Sequence, residues 1–367
     1  MPVFLIAIRN MVGEKGRLAI TVGGVAFAVL LILVLIGLYT AWSVQITRFL
    51  GSLPADIWIG QKGSRDMSHS VSLLSRDLQA QIEEIEGVTN VTPFVGRQVS
   101  FELNGAESRL FLVAVDKNFL IKPYKVIEGK TLPDSGEIIV DQIYAREENL
   151  SIGDTLNISG KKLNIVGIST GGNLLVYSYA FAQETDVREI LKFDVFSNYY
   201  LVQGENPKAL QSILQEKFPE VAVFNRETFL ENNTEIVTDT FLPIIGVLVL
   251  IAIAIGTAVI GLTIFTATIE KSNEYGVLKA IGYTNQELFA IVFIQSLVAG
   301  FLGFIVGNLL VFIIVPIAET KVSAFIYRSG IKEISLVLAI TIFISIVASL
   351  IPLRRIMSID PVKIFKV

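Results

Sequence analysis

The sequence predicts an α-helical membrane protein with four transmembrane helices and one large α+β extracytoplasmic domain. Three observations carry this. Of the 367 residues 52% are hydrophobic and only 17% charged, with a mean hydropathy of +0.62, well outside the range of ordinary soluble domains. Four stretches contain no charged residue: Leu18 to Thr47, Thr240 to Ile269, Leu288 to Ala318 and Ile334 to Leu353. Each exceeds or matches the roughly 20 apolar residues that a helix needs to cross a bilayer core. Between the first two lies a long hydrophilic segment in which helix and strand patterns alternate.

The elements follow in order. Residues 1–17 form a basic, amphipathic N-terminus, and Phe4–Asn10 suits a helix lying along the membrane surface. The first span, 18–47, is longer than the roughly 7–15 residue apolar core of a signal peptide. It also passes through Trp42, placed as an interfacial anchor, so it is expected to remain as an uncleaved span. Residues 48–239 form the large domain. Spans at 240–269, 288–318 and 334–353 follow, separated by an insert at 270–287 and a short loop at 319–333, with a tail at 354–367.

Lysines and arginines near span ends set orientation, whereas large translocated domains do not. Arg9, Lys15, Arg17, Lys271, Lys279, Arg354, Arg355, Lys363 and Lys366 fall on one side, against Lys321, Arg328 and Lys332 on the other. Both termini and the insert are therefore expected in the cytoplasm of a cell (inner) membrane, and residues 48–239 outside. That domain holds 27 acidic and 18 basic residues, a balance that argues against nucleic acid or anionic headgroups as its ligand. With no cysteine in the chain, the domain depends on its own core.

Within the domain, Ser75 is expected to cap a helix bearing Leu78, Ile82 and Ile85, closed by Gly87. An extended run at Val88–Leu103, bent at Pro93-Phe94, meets Arg109–Val115 through the hairpin signal Asn104-Gly105. Gly136–Val140, a short helix at Asp141–Glu148, and strands at Thr155–Ile158 and Leu163–Ile168 come next. Strand Tyr199–Val202 precedes a helix opened by Asn206-Pro207 with Leu210, Ile213, Leu214 and Phe218 inward, then strand Val221–Phe224. Gly153-Asp154 with Val166-Gly167-Ile168 lacks phosphate-loop spacing and is expected to be a turn, and Gly171-Gly172 a flexible loop.

Catalytic chemistry is sparse. The single histidine, His69, lies between Ser68 and Ser70, without a metal-ligand pattern around it. No P-loop occurs, so the chain is not expected to bind ATP itself. The spans hold no carboxylate to relay protons or sodium ions. Gly23-Gly24, Gly256, Gly261, Gly300, Gly303 and Gly307 suit close helix contacts, within the chain or with a second copy. Pro316 marks a kink or the end of the third span.

The insert is the most patterned loop. Tyr275, Leu278 and Ile281 recur at helical spacing, with Glu274 and Lys279 on other faces, Gly282 as a stop, and Thr284–Glu287 as a capping box for the next helix. Such a helix suits two roles, an interfacial linker or a docking surface for another protein.

Glu274-Tyr275-Gly276-Val277-Leu278-Lys279-Ala280-Ile281-Gly282 resembles the E-x-G-x-x-[KR]-A-[IL]-G signature of FtsX-like, MacB-type ABC transporter permeases. The resemblance spans the chain, including Gly129-Lys130 with Gly136–Val140, Gly153-Asp154 with Val166–Ile168, and Pro352–Arg355 with Asp360-Pro361. Thr266–Lys271 and Ile8-Arg9-Asn10 are most similar to the DevC-type branch. Tyr283, where a small residue is common, and a shortened tail depart from the pattern.

The resemblance implies an extracytoplasmic domain of MacB periplasmic-core type and a non-catalytic membrane subunit. Two copies of a cytoplasmic ATPase, which bind ATP and Mg, are implied as partners, with a second permease chain as homodimer partner and a membrane-fusion adaptor as a further partner. It implies no directly bound cofactor. Glu270, Glu274, Tyr275, Gly276, Leu278, Lys279, Ala280, Ile281 and Gly282 would form the ATPase-coupling helix, with Tyr275, Leu278 and Ile281 in an ATPase groove. The implied activity is export of a lipidic, peptide or other hydrophobic substrate. The alternatives are an FtsX-like regulator acting on an extracytoplasmic cell-wall hydrolase, and a membrane enzyme using His69.

Overall fold

The computed structural model describes residues 2–67, 71–115, 120–173, 177–322 and 325–357; His69, Asp360-Pro361, Lys363 and Lys366 lie outside them. The chain divides into two units, Met1–Ala41 with Phe241–Val367, and Trp42–Thr240.

In the first unit a helix at Pro2–Gly13 is followed by the first span helix, Lys15–Ser52, of which residues up to Ala41 belong to this unit. The second span lies in the long helix Arg226–Glu270, the third in Asn285–Lys321 and the fourth in Ile331–Leu350. All four helices are long and apolar enough to cross a membrane. The third span does not end at Pro316, as the sequence also allowed, but continues to Lys321.

Glycines bring these helices together. A Cβ on Gly303 would come within 2.5 Å of Val25, and one on Gly307 within 2.7 Å of Val29, so the first and third spans touch where only glycine fits. Gly24 meets Val259 and Gly300 meets Ser345 in the same manner, Gly256 leaves a tighter but possible 3.3 Å to Ala28, and Gly23 faces open space. The core between the helices includes Val25, Val29, Ile32, Ile260, Ile291 and Ile344. On the loop before the fourth span, the Tyr327 ring occupies the space a side chain on Gly37 would take, and the Arg328 amide donates to the Gly37 carbonyl at 3.2 Å.

The second unit contains two principal sheets. Strands β1 (Ile57–Gln61), β3 (Val88–Phe94), β12 (Tyr199–Gly204) and β13 (Val221–Asn225) form a four-stranded antiparallel sheet in the order β13-β1-β12-β3. Strands β4 (Gly96–Leu103), β5 (Ala106–Val115), β6 (Lys125–Gly129), β7 (Glu137–Asp141), β8 (Thr155–Ile158), β9 (Lys161–Thr170) and β10 (Ser178–Gln183) form a mixed seven-stranded sheet. Its order is β4-β5-β10-β7-β9-β6, with β8 also on β9. The short strands β2 (Leu74–Ser75) and β11 (Phe196–Ser197) pair with each other.

Three cores stack through this domain. One face of the four-stranded sheet packs Ile57, Ile59 and Val202 with Leu78, Ile82, Leu210 and Leu214 from helices Asp77–Glu83 and Pro207–Lys217. An aromatic layer joins Trp58, Phe94 and Tyr199 to Phe111, Tyr179 and Phe181 of the larger sheet, and Trp58 stacks on Phe229 at 4.3 Å. The far face of the larger sheet packs Leu110, Ile138 and Ile165 with Tyr144 and Val187 from helices Gln142–Glu147 and Glu184–Leu191.

The Asn104-Gly105 hairpin forms as expected, with both residues at positive φ and Leu103 paired to Ala106. Four expectations change. Ser75 belongs to β2 and Arg76 takes the N-cap position, although the Ser75 hydroxyl still accepts from the Asp77 amide at 3.3 Å. Ile213 is 46% exposed, because Leu210, Leu214 and Phe218 already fill the inward stripe. The run Val88–Leu103 breaks at Val95, not at Pro93, and its two halves join different sheets. Gly171-Gly172 is a held turn: the Gly172 amide donates to the buried Asp141 carboxylate at 2.9 Å, and Asp141 also caps Gln142–Glu147 through the Ile143 amide.

Candidate functional site

The helix after the second span runs Ser272–Ala280, separated from Arg226–Glu270 by Lys271 alone. Its end is a Schellman motif: the Tyr283 amide donates to the Leu278 carbonyl and the Gly282 amide to the Lys279 carbonyl, both at 3.0 Å, with Gly282 at φ +104°. Thr284 and Glu287 then complete the capping box of the third span in both directions, Glu287 amide to Thr284 hydroxyl at 3.3 Å and Thr284 amide to Glu287 carboxylate at 2.8 Å. The helix is thus bounded by a one-residue break and a two-motif turn. Both ends fix its direction.

Its faces differ from the sequence expectation. Tyr275 is 2% exposed and faces the chain's own helices, beside the buried Gly276, and Leu278 packs half-buried on the same core. The outward apolar residues are Val277 at 44%, Ala280, and Ile281 at 69%, flanked by exposed Glu274 and Gly282. Tyr275 thus packs on the chain's own core, and Leu278 is partly covered by it. A helix held against a bundle must turn its largest apolar side chains inward. The i, i+3, i+6 spacing does not say which of two apolar stripes meets the protein's own core.

Ion pairs and hydrogen bonds hold this region together, two of them through Glu14 and Gln295, which the sequence did not single out. Lys271 reaches Glu14 at 3.2 Å and Glu274 at 3.9 Å; Arg17 pairs with both Glu14 and Glu270. Lys279 donates to the Met357 carbonyl at 3.4 Å. Asn10 lies beside Tyr275 in a recess at this end of the helices. Gln295, a buried amide in the charge-free third span, donates to the Ala7 carbonyl at 3.5 Å. The legible hints were the Glu14/Arg17 spacing and a lone Gln inside an apolar run. Burial, with the charges of Glu274 and Glu14 nearby, pushes the Tyr275 hydroxyl up to about 12, so it stays protonated and neutral.

Asn10, Glu14, Arg17, Lys271, Tyr275 and Gln295 line the shallow recess at this end of the helices. Its charges are paired with each other, Arg17 and Lys271 both with Glu14. Among the described residues, no three His, Cys, Asp or Glu side chains are grouped to hold a metal ion. What the arrangement offers is a stiffly seated helix with a small apolar outward face.

Comparison with known proteins gives two family matches that together cover most of the chain. The MacB-like periplasmic core domain matches residues 18–216, and the FtsX-like permease C-terminal matches residues 246–361. An uncharacterised ABC transporter permease of Mycobacterium bovis is 21% identical, with 98% of each chain covered. A putative hemin transport system permease protein of Staphylococcus epidermidis is 22% identical over 80% of this chain and 79% of its own. Among solved structures, the periplasmic region of MacB from Actinobacillus actinomycetemcomitans aligns with a TM-score of 0.36 at 12% identity, over 49% of this chain and 92% of that one.

Proposed function

Because the chain belongs to the FtsX-like, MacB-type permeases of ABC transporters, a membrane family with a large extracytoplasmic domain and a partner ATPase, we propose that Ser272–Ala280 is its ATPase-coupling helix. In this proposal ATP and Mg bind to two copies of a separate cytoplasmic ATPase, and two permease chains pair in the membrane. Both termini and the coupling helix face the cytoplasm. Closure of the ATPases displaces the coupling helix, the spans follow, and the domain at 48–239 changes arrangement to extrude a hydrophobic, lipidic or peptide substrate, with or without an adaptor protein.

The outward face of Ser272–Ala280 carries this proposal. Val277, Ala280 and Ile281 form an apolar strip with Glu274 at its rim, the composition of a small interface centre bordered by charge. The ion pairs of Lys271 and Arg17 and the Schellman turn give that strip a fixed base, so little ordering entropy opposes docking.

Replacing Val277 or Ile281 with Glu places an uncompensated charge in the interface. Co-purification of the ATPase should fall at least about tenfold, equivalent to about 1.4 kcal/mol, with the melting of the outer domain unchanged. Full recovery of ATPase with the doubly substituted chain overturns the docking assignment.

A further inference from the structure

Two helices lead into the second unit, Lys15–Ser52 from the first span and Arg226–Glu270 from the second, and the ends nearest that unit are held differently. Gly37 lies about one helical turn before Ala41, where the first unit ends. It is buried, and the Tyr327 ring fills the space that its absent side chain leaves. The Arg328 amide donates to the Gly37 carbonyl at 3.2 Å, using the second lone pair that a helical carbonyl retains. Phe325 and Tyr327 also pack on the core of the spans. Their loop is in turn fixed to the start of the fourth span, where the Gly330 amide donates to the Glu333 carboxylate at 2.8 Å. The connection between the third and fourth spans is thus a clamp on the first.

The same end of the second span is packed far less. Leu242, Ile244, Val247, Leu250, Ile251 and Ile255 are exposed over more than half of its circumference, which leaves a narrow buried strip at Ile245 and Ala252. We propose that Tyr327 is a positioning residue. It holds the first span on the hairpin of the third and fourth, so that the first span is the fixed support of the domain at 48–239 and the second span the movable one. The first span already rests on the third through Val25 and Val29. The clamp at Gly37 adds a second point of attachment about 12 Å beyond Val29, and two separated points resist tilting where one does not. The second span, joined to Ser272–Ala280 through Lys271 alone, takes up the displacement. The inference rests on the docking proposal for the source of the push, but the clamp is a property of the chain alone.

The chain has no cysteine, so labels can be placed without background. Spin labels at Phe27→Cys and Arg328→Cys, both exposed positions, report the clamp in the permease–ATPase complex in nanodiscs, and Leu250→Cys with Arg328→Cys reports the second span. Replacing Arg328 keeps the backbone amide that bonds Gly37. When ATP and vanadate are added, the first pair should keep one narrow distance distribution while the second pair shifts. Tyr327→Ala removes the ring, and Gly37→Ala displaces it by filling its place. In both variants the first pair should broaden, and permease-dependent stimulation of ATP hydrolysis should fall about fivefold, the lower end of site-to-site coupling. Tyr327→Phe, which keeps the ring, should match the wild type in both readouts. An unchanged first pair in Tyr327→Ala and Gly37→Ala overturns the inference, and so does broadening without loss of stimulation. A wild-type first pair that shifts with nucleotide as far as the second also overturns it. If Val277→Glu retains the ATPase, the docking proposal fails on its own, and the first pair measured in the permease alone still decides whether Tyr327 holds the first span.

Discussion

Asp141 shows how one side chain can fasten several local structures. Its carboxylate caps a helix and accepts the Gly172 amide while fully buried, and burial pushes its pKa up from the usual 3.8 to about 6. A carboxyl whose folded value is raised contributes stability that is complete below its unfolded value and is lost as pH rises through the folded one. The wild-type domain should therefore lose stability, relative to Asp141→Asn, between about pH 4 and pH 6. Denaturation followed by the emission of buried Trp58 over that interval measures the difference. A gap that does not change with pH would mean that the carboxyl is not perturbed. No sequence pattern announced this role, because the partner amide lies 31 residues away across a turn.

At the scale of elements, what the sequence revealed is what local chemistry decides. Charge-free runs, the Asn104-Gly105 turn and the Thr284–Glu287 box each depend on neighbours in the chain, and each formed as expected. The facing of the Ser272–Ala280 helix and the division of Val88–Leu103 between two sheets depend on partners far away, and neither was legible in the sequence. The glycines separate by the same criterion. The sequence left open whether they serve this chain or a second copy; Gly303 and Gly307 serve this chain, against Val25 and Val29, while Gly23 has no neighbour within 4 Å. Gly303→Ile should lower the melting temperature, with overpacking costing about 1–3 kcal/mol, whereas Gly23→Ile should leave the isolated chain unaffected. A matched loss at both positions would contradict the packing described.

For the whole molecule, orientation is the property on which the coupling scheme depends. Single cysteines at Ile213 and Ile281, both well exposed, give opposite expectations in intact cells. A membrane-impermeant thiol reagent should label Ile213→Cys directly and Ile281→Cys only after permeabilisation. The reverse pattern would place the Ser272–Ala280 helix outside and remove the route to a cytoplasmic ATPase that the proposal needs.

The break at Val95 has a consequence for how the domain is made. All seven strands of the larger sheet lie in one uninterrupted stretch of chain, between β3 and β12, whose paired ends Phe94 and Tyr199 sit side by side. The larger sheet can therefore close as soon as its own residues are synthesised. The smaller sheet cannot, because β1 is flanked only by β12 and β13, and the buried residues Ile57, Trp58 and Ile59 have no strand partner until the far end of the domain exists. Long-range pairings of this kind close slowly and leave apolar strands open to aggregation meanwhile. During biogenesis β1 is the domain's vulnerable segment, and the last strands to arrive, just ahead of the second span, are the ones that protect it.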